Sequence, residues 1–239
     1  MDEKISSGSP LIDEFLDGGF EKDVITTIYG PAGTGKTTIC LMATLSMVKD
    51  KKVIFIDTEG SFSVERIKQL LGNKDVEKVL SKIFVLRPMT FEEQRKTIET
   101  LKDMVDSKIG LVVVDTIAML YRAEMGLNED YQEVNKSLAT QFANLIRIAR
   151  DKGVAVLVTN QVYADFENKD AVHLVGGDVI KYGSKSLIEL KLLFGGKRKA
   201  LLRKHRHLPQ KEIVFEIVNE GLRNAVDESE KQKKTFKLF

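Results

Sequence analysis

Gly30-Pro-Ala-Gly-Thr-Gly-Lys36-Thr37 decides the reading of this chain. The eight residues fit G-x-x-x-x-G-K-[ST], directly after an apolar run at 24–29 and directly before a helical pattern at 36–48. Gly30, Gly33 and Gly35 let the backbone wind tightly round an anion with its amides turned inward, and Pro31, Ala32 and Thr34 complete the loop. The helix that follows sets its positive end on the phosphates. Lys36 is placed for the β- and γ-phosphates, Thr37 for Mg²⁺ through its hydroxyl, and Thr38 lies beside them. The expected ligands are ATP and Mg²⁺.

Outward from the loop, short apolar runs alternate with helical patterns. Strands are predicted at 24–29, 53–57, 83–86, 111–115 and 154–159, and helices at 36–48, 63–71, 91–105 and 134–150. Runs such as Leu111-Val-Val-Val are apolar on both faces, as strands of a covered parallel sheet are. The alternation predicts an α/β fold, a mostly parallel twisted sheet flanked by helices. After residue 185 three further short strands, with a turn at Gly195-Gly196, predict a C-terminal antiparallel extension. The expected organisation is one domain over 1–224 and a polar tail over 225–239.

Composition narrows the class. Apolar residues make up 43% and charged residues 30% of 239 residues, which fits a globular protein and excludes a disordered or fibrous chain. The single cysteine, Cys40, excludes an internal disulfide, reads as a small buried hydrophobe and implies a cytoplasmic setting. No apolar run approaches a membrane span. With 37 basic against 35 acidic residues, net charge is silent on nucleic acid.

Three further groups belong near the phosphates. Asp115 ends a buried strand and is placed to hold the Mg²⁺ water shell. Glu59 lies just past the strand 53–57, at the edge where such sheets bind ligands, and reads either as a carboxylate polarising water or as a cap on the helix near Ser63. Gln161, after 154–159, reads either as an amide on the γ-phosphate or as part of a plain turn.

These elements, in this order, resemble the ATPase core of RecA-type recombinases, the archaeal and eukaryotic branch above all. The opening Ser7-Gly8-Ser-Pro-Leu-Ile-Asp-Glu-Phe-Leu-Asp-Gly18-Gly19-Phe, the segment Ile56-Asp-Thr-Glu-Gly-Ser-Phe-Ser-Val-Glu-Arg66, the stretches Leu157-Val-Thr-Asn-Gln-Val and Gly176-Gly177-Asp-Val-Ile, and the closing Leu208-Pro209 with 213–217 and Gly221 carry the likeness over about 5–224. The resemblance implies a RecA-like P-loop ATPase in DNA repair and homologous recombination. It implies catalytic roles for Lys36, for Glu59 activating water and for Gln161 sensing the γ-phosphate. Arg66 would pack on adenine, and Pro209 would contact the nucleotide of a neighbouring protomer.

Departures from the branch shape the expectation. The sequence starts at the ATPase core, without an N-terminal DNA-binding domain or an aromatic polymerisation motif, as in archaeal paralogues of the branch. That implies a dimer or small oligomer rather than a long filament, and a mediator that assists a full-length recombinase. Lys204-His205-Arg206-His207 stands where the family carries Asp before Leu-Pro. The segments matching the two DNA loops, 121–133 and 162–175, are acidic, which weakens contact with phosphates, although Phe166 offers one stacking surface.

Six cations cluster at Lys197, Arg198, Lys199, Arg203, Lys204 and Arg206. Three readings stand: a solvated hairpin, a track for a nucleic-acid backbone through Lys197, Arg198, Lys199 and Arg203, or a γ-phosphate contact across subunits through Lys204 and Arg206. The tail Gln232-Lys-Lys-Thr-Phe-Lys-Leu-Phe239 resembles the sliding-clamp peptide Q-x-x-h-x-x-a-a, against the plainer reading of a frayed or folded-back end. The function expected is a weak Mg-dependent ATPase that binds DNA, single strands in preference, with stimulation by DNA open. The alternatives are an ATP-switched interaction protein and a KaiC-like regulatory ATPase.

Overall fold

A computed structural model describes residues 4–72, 75–164 and 172–225. In chain order the elements are β1 (Lys4–Ile5), α1 (Pro10–Phe15), β2 (Phe20–Glu21), β3 (Ile25–Tyr29), α2 (Lys36–Met47), β4 (Lys52–Asp57), α3 (Val64–Leu71), α4 (Val76–Leu80), β5 (Ile83–Leu86), α5 (Phe91–Met104) and β6 (Ile109–Asp115). There follow α6 (Met119–Leu127), α7 (Tyr131–Lys152), β7 (Ala155–Asn160), β8 (Val162–Ala164), β9 (Val172–Leu174), α8 (Gly177–Gly183), β10 (Ser186–Leu192), β11 (Arg198–Lys204), β12 (Glu212–Val218) and β13 (Gly221–Asn224).

Nine strands form one sheet in the order β13-β12-β11-β10-β3-β7-β6-β4-β5. The six from β10 to β5 run parallel, and β11, β12 and β13 extend the sheet antiparallel. This is the predicted RecA-like α/β architecture. Along β4, β6 and β7 successive side chains enter opposite cores, as the two-residue period of a strand requires. Phe55, Val113 and Leu157 pack with α2 and α3 on one face, and Ile56, Val114 and Val158 with α5 and α7 on the other. Both faces are covered, so these strands carry no polar face.

The helix ends follow the sequence. Ser63, Thr90 and Asp130 cap α3, α5 and α7 by accepting backbone N–H groups, and Gly153 closes α7 at φ 61°. Gly195 and Gly196, at φ 71° and 76°, make the turn between β10 and β11.

One expectation is corrected. The stretch 121–133 is not a continuous loop: α6 occupies Met119–Leu127 and α7 begins at Tyr131. Leu120 and Tyr121 are buried in the core beneath α5 and α7, and Tyr121 Oη donates to Asn135 Oδ1 across 2.7 Å. Tertiary burial makes this helix from a sequence with weak local signals. Of the second acidic stretch, β8 pairs antiparallel with β9, while Phe166 and residues 165–171 lie outside the described residues, as does the tail from 226.

Candidate nucleotide-binding site

The site lies where β3, β4, β6 and β7 end. Tyr29 pairs with Asn160, and Asp57 with Asp115, so four chain segments reach the same sheet edge in register. The loop from Gly30 to Gly35 follows β3 directly, and α2 begins at Lys36. Gly30 has no room for a side chain, and Gly33 (φ 75°) and Gly35 hold left-handed backbone that favours glycine. A Cβ at Gly30 (φ 152°) would sit 2.2 Å from the Leu190 carbonyl oxygen, and one at Gly35 (φ 99°) 2.7 Å from Ile217 Cδ1. Thr34 is buried and its hydroxyl donates to Pro31 O across 2.8 Å, bracing the loop.

Lys36 Nζ donates to the carbonyls of Gly30 at 2.8 Å and Pro31 at 2.9 Å. Burial lowers its pKa, and the carboxylates of Asp115 and Glu59 oppose that. The cation thus hangs over the loop, held by acceptors that a phosphate oxygen can replace.

Asp115 is the hub. Its Oδ2 accepts from Thr37 Oγ1 and from Ser61 Oγ, each at 2.7 Å, and its Oδ1 accepts from Thr159 Oγ1. Asp57 organises the adjoining turn by accepting from the N–H groups of Ser61 at 2.8 Å and Phe62 at 3.2 Å, with Arg87 Nε at 3.4 Å. The peptide between Asp115 and Thr116 is cis, and the Thr58 and Thr116 backbones are tied through the Thr58 hydroxyl.

Glu59 is not a helix cap, since Ser63 fills that place by accepting from Arg66 N–H at 3.1 Å. Instead Glu59 Oε1 accepts a hydrogen bond from Gln161 Nε2. Burial and the charges of Asp115 and Asp57 raise the Glu59 pKa, while Lys36 and the Gln161 bond pull it down. Gln161 is therefore no plain turn residue: the two site candidates touch. Sequence reasoning missed Asp57, Ser61 and Thr159. The Asp-Thr-Glu-Gly-Ser spacing and the Thr-Asn-Gln end of β7 held the signal.

Arg66 projects from α3 to the β12–β13 turn, where its Nη2 donates to Val218 O at 2.8 Å and its Nη1 to Asn219 O at 3.3 Å. Pro209 is remote. In the register of β10, Lys204 sits opposite Leu187 and Arg198 opposite Leu192, so the segment after β11 lies at the far end of the sheet from the phosphate loop. Any contact of Lys204, Arg206 or Pro209 with nucleotide therefore has to come from another copy of the chain.

The cations of 197–206 divide into separate environments. Arg198 turns to the phosphate loop, with Nη2 3.5 Å from Gly33 O. Lys199 pairs with Glu212 at 2.9 Å, and Arg203 with the buried Glu189 at 2.5 Å. Lys204 Nζ donates to the carbonyls of Lys181 and Ser184, at 2.9 and 2.8 Å, at the end of α8. His205, Arg206 and His207 gather at 3.9, 4.0 and 3.8 Å round the buried carboxylate of Glu21. That carboxylate gives the basic departure from the family pattern a structural partner.

Hard oxygen donors at Thr37 and Asp115 suit Mg²⁺, which takes few protein ligands and shares its shell with water and phosphate. Among the described residues no group of three or more His, Cys, Asp or Glu gathers as a closed metal site, and no helix is long and apolar enough to cross a membrane.

Known proteins resemble this chain in sequence and in fold. The Rad51 family model matches residues 3–225. A protein of Methanococcus maripaludis called DNA repair and recombination protein RadB is 42% identical over 216 residues, covering 89% of this chain and 97% of that protein. A Pyrococcus horikoshii protein of the same name is 40% identical over 224 residues, covering 92% and 94%. A crystal structure of the RadB recombinase superposes with a TM-score of 0.80 at 36% identity, covering 93% of this chain and all of that one. The phosphate loop, the Asp115 hub and these likenesses lead to one conclusion: the chain belongs to the Rad51 family of RecA-like proteins.

Proposed function

We propose that this chain is a cytoplasmic DNA repair and recombination protein that binds Mg·ATP, hydrolyses it slowly and assists a full-length recombinase on DNA. The observation that carries the reading is the convergence of Thr37, Ser61 and Thr159 on Asp115, beside the hydrogen-bonded pair Glu59 and Gln161. Thr37 and Asp115 would hold Mg²⁺, which would supply positive charge against the phosphates. Lys36 compensates the β- and γ-phosphates and the loop amides hold them. Glu59 accepts a proton from the attacking water, and Gln161 reports the γ-phosphate to the segment that follows β7.

DNA binding is assigned to the β10–β11 hairpin, with single strands preferred and weak affinity. Lys199 and Arg203 pair there with Glu212 and Glu189, while Lys197 and Arg198 stand at the turn of the hairpin, where β11 begins. A dimer or small oligomer is favoured over a long filament. The tail Gln232–Phe239 is proposed to recruit the protein to a sliding clamp, and titration of a 228–239 peptide onto an archaeal clamp tests that. The whole reading is tested by ATPase activity titrated with single-stranded DNA at several salt concentrations. The expected result is slow turnover that DNA raises, less so as salt increases. Absence of any ATP turnover would favour an ATP-switched interaction protein.

A further inference from the structure

Arg122 has no role in the reading above, yet it touches the catalytic pair. It is the fourth residue of α6, exposed, and its Nη1 donates to Gln161 Oε1 across 3.1 Å. The Nε2 group of the same Gln161 donates to Glu59 Oε1. The two bonds form one chain from Arg122 through Gln161 to Glu59.

The chemistry of the three groups gives that chain a single direction. A guanidinium has donors only, an ionised carboxylate acceptors only, and a primary amide one end of each kind. With Arg122 in place, the carbonyl end of Gln161 faces the cation and its NH₂ end faces Glu59. Without it the carbonyl end loses its donor, and the amide, tied at Glu59 alone, is free to swing out of the site.

We propose that Arg122 is a positioning residue for ATP hydrolysis, anchoring the carbonyl end of the Gln161 amide and through it holding Glu59. This role rests on the ATPase reading and adds to it a side chain from α6, an element that carries none of the other site residues. It also predicts a pH signature. Asp115 and Asp57 raise the Glu59 pKa, while Lys36 and the Gln161 bond lower it. An amide that swings away from Glu59 removes one of the two lowering influences.

The test uses the full chain and four variants: Arg122→Ala, Arg122→Lys, Gln161→Ala, and the double variant Arg122→Ala/Gln161→Ala. Steady-state ATPase with Mg·ATP is measured across pH, with the KM for ATP. In Arg122→Ala, kcat is expected to fall about tenfold while KM stays within about twofold. The acid limb of kcat/KM is expected to move to higher pH. Arg122→Lys, which still donates to Gln161, recovers most of the loss. In the Gln161→Ala background Arg122→Ala costs nothing further. Unchanged kcat and acid limb in Arg122→Ala, or the same loss repeated without Gln161, overturns the role. A parent chain without ATPase activity overturns the functional reading itself, whereas an active parent beside an unaffected Arg122→Ala overturns only the role of Arg122.

Discussion

Thr37 and Asp115 stand 78 residues apart in the chain, and their side chains meet at 2.7 Å, the Thr37 hydroxyl donating to the carboxylate. That contact joins the start of α2 to the end of β6. It pre-assembles two oxygen ligands of the kind Mg²⁺ takes, in a site that Lys36 keeps electrostatically balanced.

Removing the Lys36 ammonium leaves phosphate charge uncompensated above the loop. Lys36→Ala is expected to lose ATP binding or turnover, checked by equilibrium binding of a fluorescent ATP analogue and by phosphate release. Affinity and turnover both at the parent level would refute the site.

Glu59→Gln keeps the shape of the side chain and removes its charge. ATP binding should persist while hydrolysis falls about 10²-fold or more. Single-turnover phosphate release measures it, and an unchanged rate would leave Glu59 without a part in the chemistry.

The raised pKa of Glu59 sets a pH dependence. A base works when deprotonated, so kcat/KM should drop as pH falls through a value above the ordinary Glu range. Asp115→Asn removes a carboxylate that raises that value, so in any activity left to this variant the limb moves to lower pH. A parent limb at or below the ordinary Glu value contradicts the expectation.

Cations of the β10–β11 hairpin should separate by experiment. Charge reversal at Lys197 and Arg198 is expected to weaken single-stranded DNA binding. It should also flatten the log–log salt slope by about one for each DNA phosphate that is no longer neutralised. Arg203→Ala acts differently, because it leaves the buried Glu189 with Lys191, at 3.3 Å, as its ion partner among the described residues. Its expected effect is a loss of about 2 kcal/mol in urea unfolding. A fully stable Arg203→Ala that loses DNA binding would return Arg203 to the nucleic-acid surface.

Fold class and phosphate loop were both legible in the sequence, for local reasons. A strand covered on both faces reads as an unbroken apolar run, and the loop's glycines and Lys36 sit within eight consecutive residues whose backbone must curl round an anion. The parallel core, its flanking helices and the antiparallel strands after residue 185 follow from those patterns. What the sequence left open was decided by side chains distant in the chain. Glu59 could read as a cap until Ser63 was found in that place and Gln161 on its carboxylate, 102 residues away. Helix α6 looked like a loop because its stability comes from burying Leu120 and Tyr121 beneath other helices. The basic run at 197–206 looked uniform, since sequence records charge but not partners. Only the folded structure shows that Glu189, Glu212 and Glu21 draw Arg203, Lys199 and Arg206 out of a common patch, because the fold determines which charges face one another.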